Sequence, residues 1–93
     1  MARGIWRTAW FNWDDGNAFH VARHGVEATE VEEVFRGRLY IRRVRHGYTV
    51  LGATATGRQL FVVVARLEGG GLRPITVRDM TTPERRLFEK RAR

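Results

Sequence analysis

Cysteine is absent from the 93 residues, which excludes disulfides and thiolate chemistry and suits a reducing compartment. No apolar run approaches the roughly 20 residues that a membrane-spanning helix needs, so no membrane partner is expected. Met1 to Trp10 mixes small, basic and aromatic residues and holds no signal-peptide apolar block. The expectation is a soluble cytoplasmic protein. Repeats, linkers and low-complexity tracts are missing too, apart from the turn Gly69-Gly70-Gly71. Lysine is nearly missing, because Lys90 stands alone among 17 basic residues.

What remains is 43% hydrophobic with five Phe, three Trp and two Tyr, enough for one modest core and one domain spanning 1–93. The net charge of +7 is unevenly spread. Residues 14–33 carry six acids against Arg23, whereas residues 34–93 carry fourteen bases against four acids. A basic body with an acidic segment fits a polyanion-binding surface. The near-exclusive use of arginine also follows from a GC-rich genome, and an acidic protein partner would satisfy the same charge.

Trp10 to Trp13 reads as a short strand feeding a helix. Asp14 is a helix N-cap, and Gly25 can take the left-handed conformation that ends that helix after about His24. A second helix begins at the capping box Thr29-Glu30-Val31-Glu32, or earlier near Glu27, and ends by Gly37. Ala28, Val31, Val34 and Phe35 form its apolar face, which leaves Glu30 and Glu33 to solvent. From Arg38 the period changes to two: Leu39 and Ile41 oppose Arg38, Tyr40 and Arg42.

His46-Gly47 marks a turn into a strand from Tyr48 to Thr54, and Thr56-Gly57 marks another. Leu60-Phe61-Val62-Val63-Val64 is apolar on both faces, as a central strand is. A last strand runs from Arg73 to Arg78, with Ile75 and Val77 toward the core and Thr76 and Arg78 opposite. Thr81, Pro83 and Glu84 then open a helix carrying Leu87 and Phe88. The expected fold is α+β: an antiparallel sheet of four to five strands with two N-terminal helices and one C-terminal helix.

Several short pieces in this order resemble one family. They are Phe11-Asn12-Trp13-Asp14, Arg23-His24-Gly25-Val26, Glu33-Val34-Phe35, Leu51-Gly52-Ala53-Thr54, Gly57-Arg58-Gln59-Leu60 with Val62-Val63-Val64, and Ile75-Thr76-Val77-Arg78 with Thr81 and Glu84-Arg85-Arg86. Together, from about Phe11 to Glu89, they resemble the BrnT family (DUF497) within the RelE-like ribonuclease toxins. The resemblance implies a RelE-like fold, RNA cleavage that arrests translation in bacteria, and a hetero-oligomer with a cognate DNA-binding antitoxin of the BrnA type. The chain departs from the family at His20, often Asn there, at Thr76-Val77, often Ser-Ala, and at Phe88, often Tyr.

Cleavage without a metal needs a group to accept the ribose 2′-hydroxyl proton, a cation for the phosphorane and a proton for the leaving 5′-oxygen. Arg78 is the first candidate for the cation. Glu84 is read as helix cap or general base, and His46, at a turn near Arg42, Arg43 and Arg45, as proton carrier. Arg58, Arg85, Arg42 and Arg43 are candidate phosphate ligands, and Tyr40, Tyr48 and Phe61 candidate stacking platforms. His20 and His24 have a zinc-compatible spacing but no third ligand, and Val21 replaces the Glu of H-E-x-x-H. No metal or cofactor is implied. A toxin-fold module that binds RNA or an antitoxin without cleaving is the alternative.

Overall fold

The computed structural model describes residues 6–93. The strand β1 is short (Trp10–Phe11). Asp14 caps α1 (Asp15–Ala22): its carboxylate accepts the Asn17 amide at 3.0 Å, and the Asn17 side-chain oxygen accepts the Asp14 amide at 2.8 Å. Gly25, at φ 72°, turns the chain out of this helix. The next helix, α2 (Ala28–Val34), is opened by Glu27 and not by Thr29; Glu30 reaches back to the Glu27 amide at 2.9 Å.

Four strands follow, β2 (Tyr40–Val44), β3 (Gly47–Ala53), β4 (Gln59–Arg66) and β5 (Gly71–Asp79), and then α3 (Thr82–Arg91). They form one sheet in the order β1-β5-β4-β3-β2. The β2–β5 meander is antiparallel as its short turns require. The fifth strand departs from that pattern. β1 pairs with β5 in parallel, through Trp10↔Gly71 and Phe11↔Leu72, so the α+β sheet is mixed. Parallel pairing needs a long connection, and here α1, α2 and the whole meander intervene.

α1 and α2 cover one face of the sheet. Val21, Val26, Val31, Val34 and Phe35 pack there against Val50, Leu60, Val62, Val64 and Val77. Gly52 marks the close approach of α2, since a Cβ at that position would lie 2.5 Å from Val34 Cγ1. Glu30 and Glu33 are not left to solvent. Glu33 accepts the Ala55 amide at 3.0 Å, and Glu30 lies 3.7 Å from Arg58.

The other face is only partly covered. α3 seals one end of it, where Phe88 packs with Leu51 and Met80. The adjacent row, Arg42, Thr49, Val63 and Thr76, stays exposed or half-buried. Simple alternation fails once along β5. Between Val63 and Val64 the register slips, so that Pro74 and Thr76 are paired and Ile75 is not. A bulge inserts one residue and reverses the facing of what it carries. Ile75 is therefore 43% exposed, whereas Val77 is fully buried. Among the described residues no helix is long and apolar enough to cross a membrane.

Candidate active site

The end of β5 and the start of α3 assemble one cluster. Arg78 lies in the cross-strand row Tyr40–Leu51–Phe61–Arg78, and its guanidinium carbon sits 4.0 Å from the centre of the Phe61 ring. Cation–π contact at that distance holds the guanidinium against the Phe61 ring. Glu84 grips it from above with two bonds, Nη1 to Oε1 at 2.7 Å and Nη2 to Oε2 at 2.9 Å. Nη1 also donates to the Asp79 carbonyl at 3.2 Å. Of the five guanidinium donors, these bonds take three. Nε–H and the second Nη2 hydrogen, a side-on fork fit for two oxygens of one phosphate, have no partner among the described residues.

Glu84 owes its position to the helix cap. Thr81 Oγ1 accepts the Glu84 amide at 3.3 Å, while Glu84 Oε1 takes the Thr81 amide at 2.9 Å. The carboxylate therefore caps α3 and clamps Arg78 at once. The Arg78 bonds, aided by the Thr81 amide, lower its pKa from the ordinary 4.5 to about 2. A carboxylate so acidic is a weak base at neutral pH. Its work is to orient Arg78.

The depressed pKa makes stability acid-sensitive in a defined window. Glu84 contributes fully above its unfolded value of 4.5, and the contribution is lost as pH falls toward about 2. Both partners are partly exposed, 42% for Arg78 and 22% for Glu84, so solvent screening reduces the effect to about 1 kcal/mol. Urea unfolding at a series of pH values should show the loss in the wild type and a flatter profile in Glu84→Gln. Parallel profiles would dismiss the clamp as a stabilising pair.

Beside this cluster a cavity of about 100 Å³ opens between Tyr40, Arg42, Thr49, Leu51, Phe61 and Leu87. Arg42 is exposed there, so it joins Arg78 on the same face. Arg43, its neighbour in the strand, points to the opposite face. Arg85 is exposed in the first turn of α3, and its charge acts on Asp79. Arg58 is engaged elsewhere: it donates to Asp79 at 2.9 and 3.3 Å and to the Gly25 carbonyl at 2.8 Å. Those bonds tie the α1–α2 loop to the sheet, and they hold the Asp79 carboxyl below its usual range.

His46 is not brought to Arg78. It sits in the β2–β3 turn, five residues before Leu51 of the Arg78 row, which is roughly 16 Å along a strand at 3.3 Å per residue. The histidine bonded to the Arg78 strand is His20, on α1 at the open side of β5. Its Nε2 lies 3.1 Å from Oγ1 of Thr76, two residues from Arg78 on the same face. Sequence spacing gives no hint of this pairing, because 56 positions separate the partners. His24 is exposed, and its ring lies 5.5 Å from that of His20.

The aromatic candidates divide by face. Phe61 lies against Arg78 and Tyr40 stands three strands away in the same cross-strand row, whereas Tyr48 lies edge-on to Trp6, 5.0 Å away on the helix-covered face. Phe88 is buried at 4% exposure, with Arg38 over its ring at 5.3 Å. Its ring is core and not a platform for bases. The sequence and this geometry stand by themselves: no protein-family model matches the chain, and none of the curated proteins matches it.

Proposed function

We propose that the protein is a metal-independent endoribonuclease, a RelE-like toxin of the BrnT type that arrests translation in the bacterial cytoplasm. A DNA-binding antitoxin of the BrnA type would neutralise it in a hetero-oligomeric complex. The observation that carries this reading is Arg78, held on Phe61 by Glu84 with its side-on fork unoccupied.

In this reading the ribose 2′-oxygen attacks the adjacent phosphorus, the bond to the 5′-oxygen breaks, and a 2′,3′-cyclic phosphate forms. Arg78 binds two non-bridging oxygens and neutralises the charge that builds on them. Glu84 and Phe61 fix its orientation in advance, so little reorganisation is needed at the transition state. Arg42, on the neighbouring row, attracts the next phosphate. His20, hydrogen-bonded to Thr76, is the imidazole nearest the Arg78 face by connectivity, and it is assigned the proton transfers.

The assignment has a direct test. His20→Ala should slow cleavage by about 10²-fold, the usual loss of a proton-transfer group, while His46→Ala should leave it within about twofold. The reverse ranking would return His46 to the role.

A second reading is favoured by one observation. The only carboxylate on Arg78 is a weak base bound at both oxygens, which suits an RNA-binding module that does not cleave. Purified wild-type protein that retards RNA in a gel and leaves it intact would establish that reading instead.

A further inference from the structure

We propose that the free edge of β2 is a docking site for an acidic, extended segment of a partner protein, which joins the sheet as an added strand. This inference stands apart from the cleavage reading, because it uses other residues at another edge.

Among the described residues β2 is the last strand of the sheet, bonded on one side only, to β3. The phase of its outer side is set just before it. The Leu39 amide donates to the Arg93 carbonyl at 3.0 Å, and the Arg93 amide donates back to the Leu39 carbonyl at 3.1 Å. Both backbone groups of Leu39 therefore face outward, and with a period of two so do those of Ile41 and Arg43. Those amides and carbonyls have no hydrogen-bond partner among the described residues. The reciprocal Leu39–Arg93 pair shows that this edge accepts an antiparallel neighbour.

Along the same edge runs a groove of about 520 Å³. Its floor is apolar, built from Ile41, Tyr48 and the buried Trp6, and its rim carries Arg43, Arg66, Arg91 and Arg93. No Asp or Glu side chain lines it. None of these four arginines has an ion pair among the described residues, in contrast to Arg58, Arg73 and Arg78. Unpaired strand edges are usually blunted by charge. Here the charge is of one sign, which repels a second copy of this chain and attracts an acidic strand.

Backbone and charge together discriminate between occupants. A strand offers the alternating donors and acceptors that Ile41 and Arg43 need, apolar side chains for the floor and carboxylates for the rim. RNA offers phosphates for the arginines but no ladder for the edge.

The probe is a short fluorescent peptide of alternating glutamate and valine, with a control N-methylated at every second amide. Fluorescence anisotropy should show the parent peptide binding and the N-methylated control failing to bind. The double variant Arg91→Glu/Arg93→Glu should weaken the parent by roughly tenfold. Arg43→Pro should weaken it more than Arg43→Gln, because proline removes an outward amide at a position where an edge strand tolerates it. Circular dichroism checks that variants fold, and the N-methylated control needs no variant.

Equal binding of the two peptides would overturn the added strand. So would self-association of the chain through this edge in sedimentation. Loss of oligouridylate binding in the Arg91/Arg93 double variant, with no binding of the peptide, would assign the groove to RNA instead.

Discussion

Replacing Arg78 by alanine is expected to lower RNA cleavage by about 10²–10³-fold and to relieve growth arrest on induced expression. The magnitude is that of removing one preorganised donor set from a developing oxyanion. Three of the five guanidinium donors serve to hold the side chain, through Glu84 and the Asp79 carbonyl, so the remaining two are aimed before substrate arrives. Arg78→Lys should fail nearly as badly. An ammonium cannot grip Glu84 bidentately and at the same time present a second fork to phosphate.

The fold should survive both changes, since Arg78 is 42% exposed and surface ion pairs contribute at most about 1 kcal/mol. Glu84 keeps its cap on Thr81. Far-UV circular dichroism and a thermal melt alongside the cleavage assay separate loss of chemistry from loss of structure. Full toxicity in a folded Arg78→Ala protein would end the assignment of this cluster as the active site.

Replacing Phe35 by alanine should destabilise the protein by about 3–5 kcal/mol, the usual cost of emptying a large aromatic site in a core. Phe35 is 1% exposed and central to the helix-covered face, with Phe11 at 5.4 Å and Trp6 stacked at 6.2 Å between ring centres. A chain of this size has roughly 5–14 kcal/mol in hand, so one side chain accounts for a large share of it. The melting temperature should fall by roughly 15–30 °C. A fall of only a few degrees would mean that Trp6 and Phe11 collapse into the space. Phe35→Leu, which restores most of the volume, should recover much of the loss.

These two residues also mark how far the sequence could be read. Phe35 belongs to an apolar face at helical spacing, and such a face has one physical use, so its burial was legible. The same holds for the Asp14 and Thr81 caps, for Gly25, and for β4 as the central strand, each determined by neighbours within a few positions. The Thr29 capping box was misplaced for a local reason. Thr29-Glu32 and Glu27-Glu30 offer competing boxes within one turn, and the amide that Glu30 reaches decided between them.

Features that depend on distant segments were not legible. Glu30 and Glu33 look like solvated charges and Arg58 like a phosphate ligand, yet each is tied by partners more than twenty positions away. The bulge that turns Ile75 outward comes from the mismatch between β4 and β5, and neither strand shows it alone.

The basic surplus of the chain, its missing cysteines and the order of its elements were set by the sequence itself, because composition and local periodicity require no third dimension. So was the pairing of Thr81 with Glu84, three residues apart. That Glu84 also clamps Arg78, that Phe61 lies beneath it, and that His20 rather than His46 bonds to Thr76, two residues away, were decided by tertiary structure alone. A sheet brings together residues by register and not by sequence distance. The register of β5 against β4, with the packing of α1 along the open side of β5, selected which of many arginines and three histidines could act together.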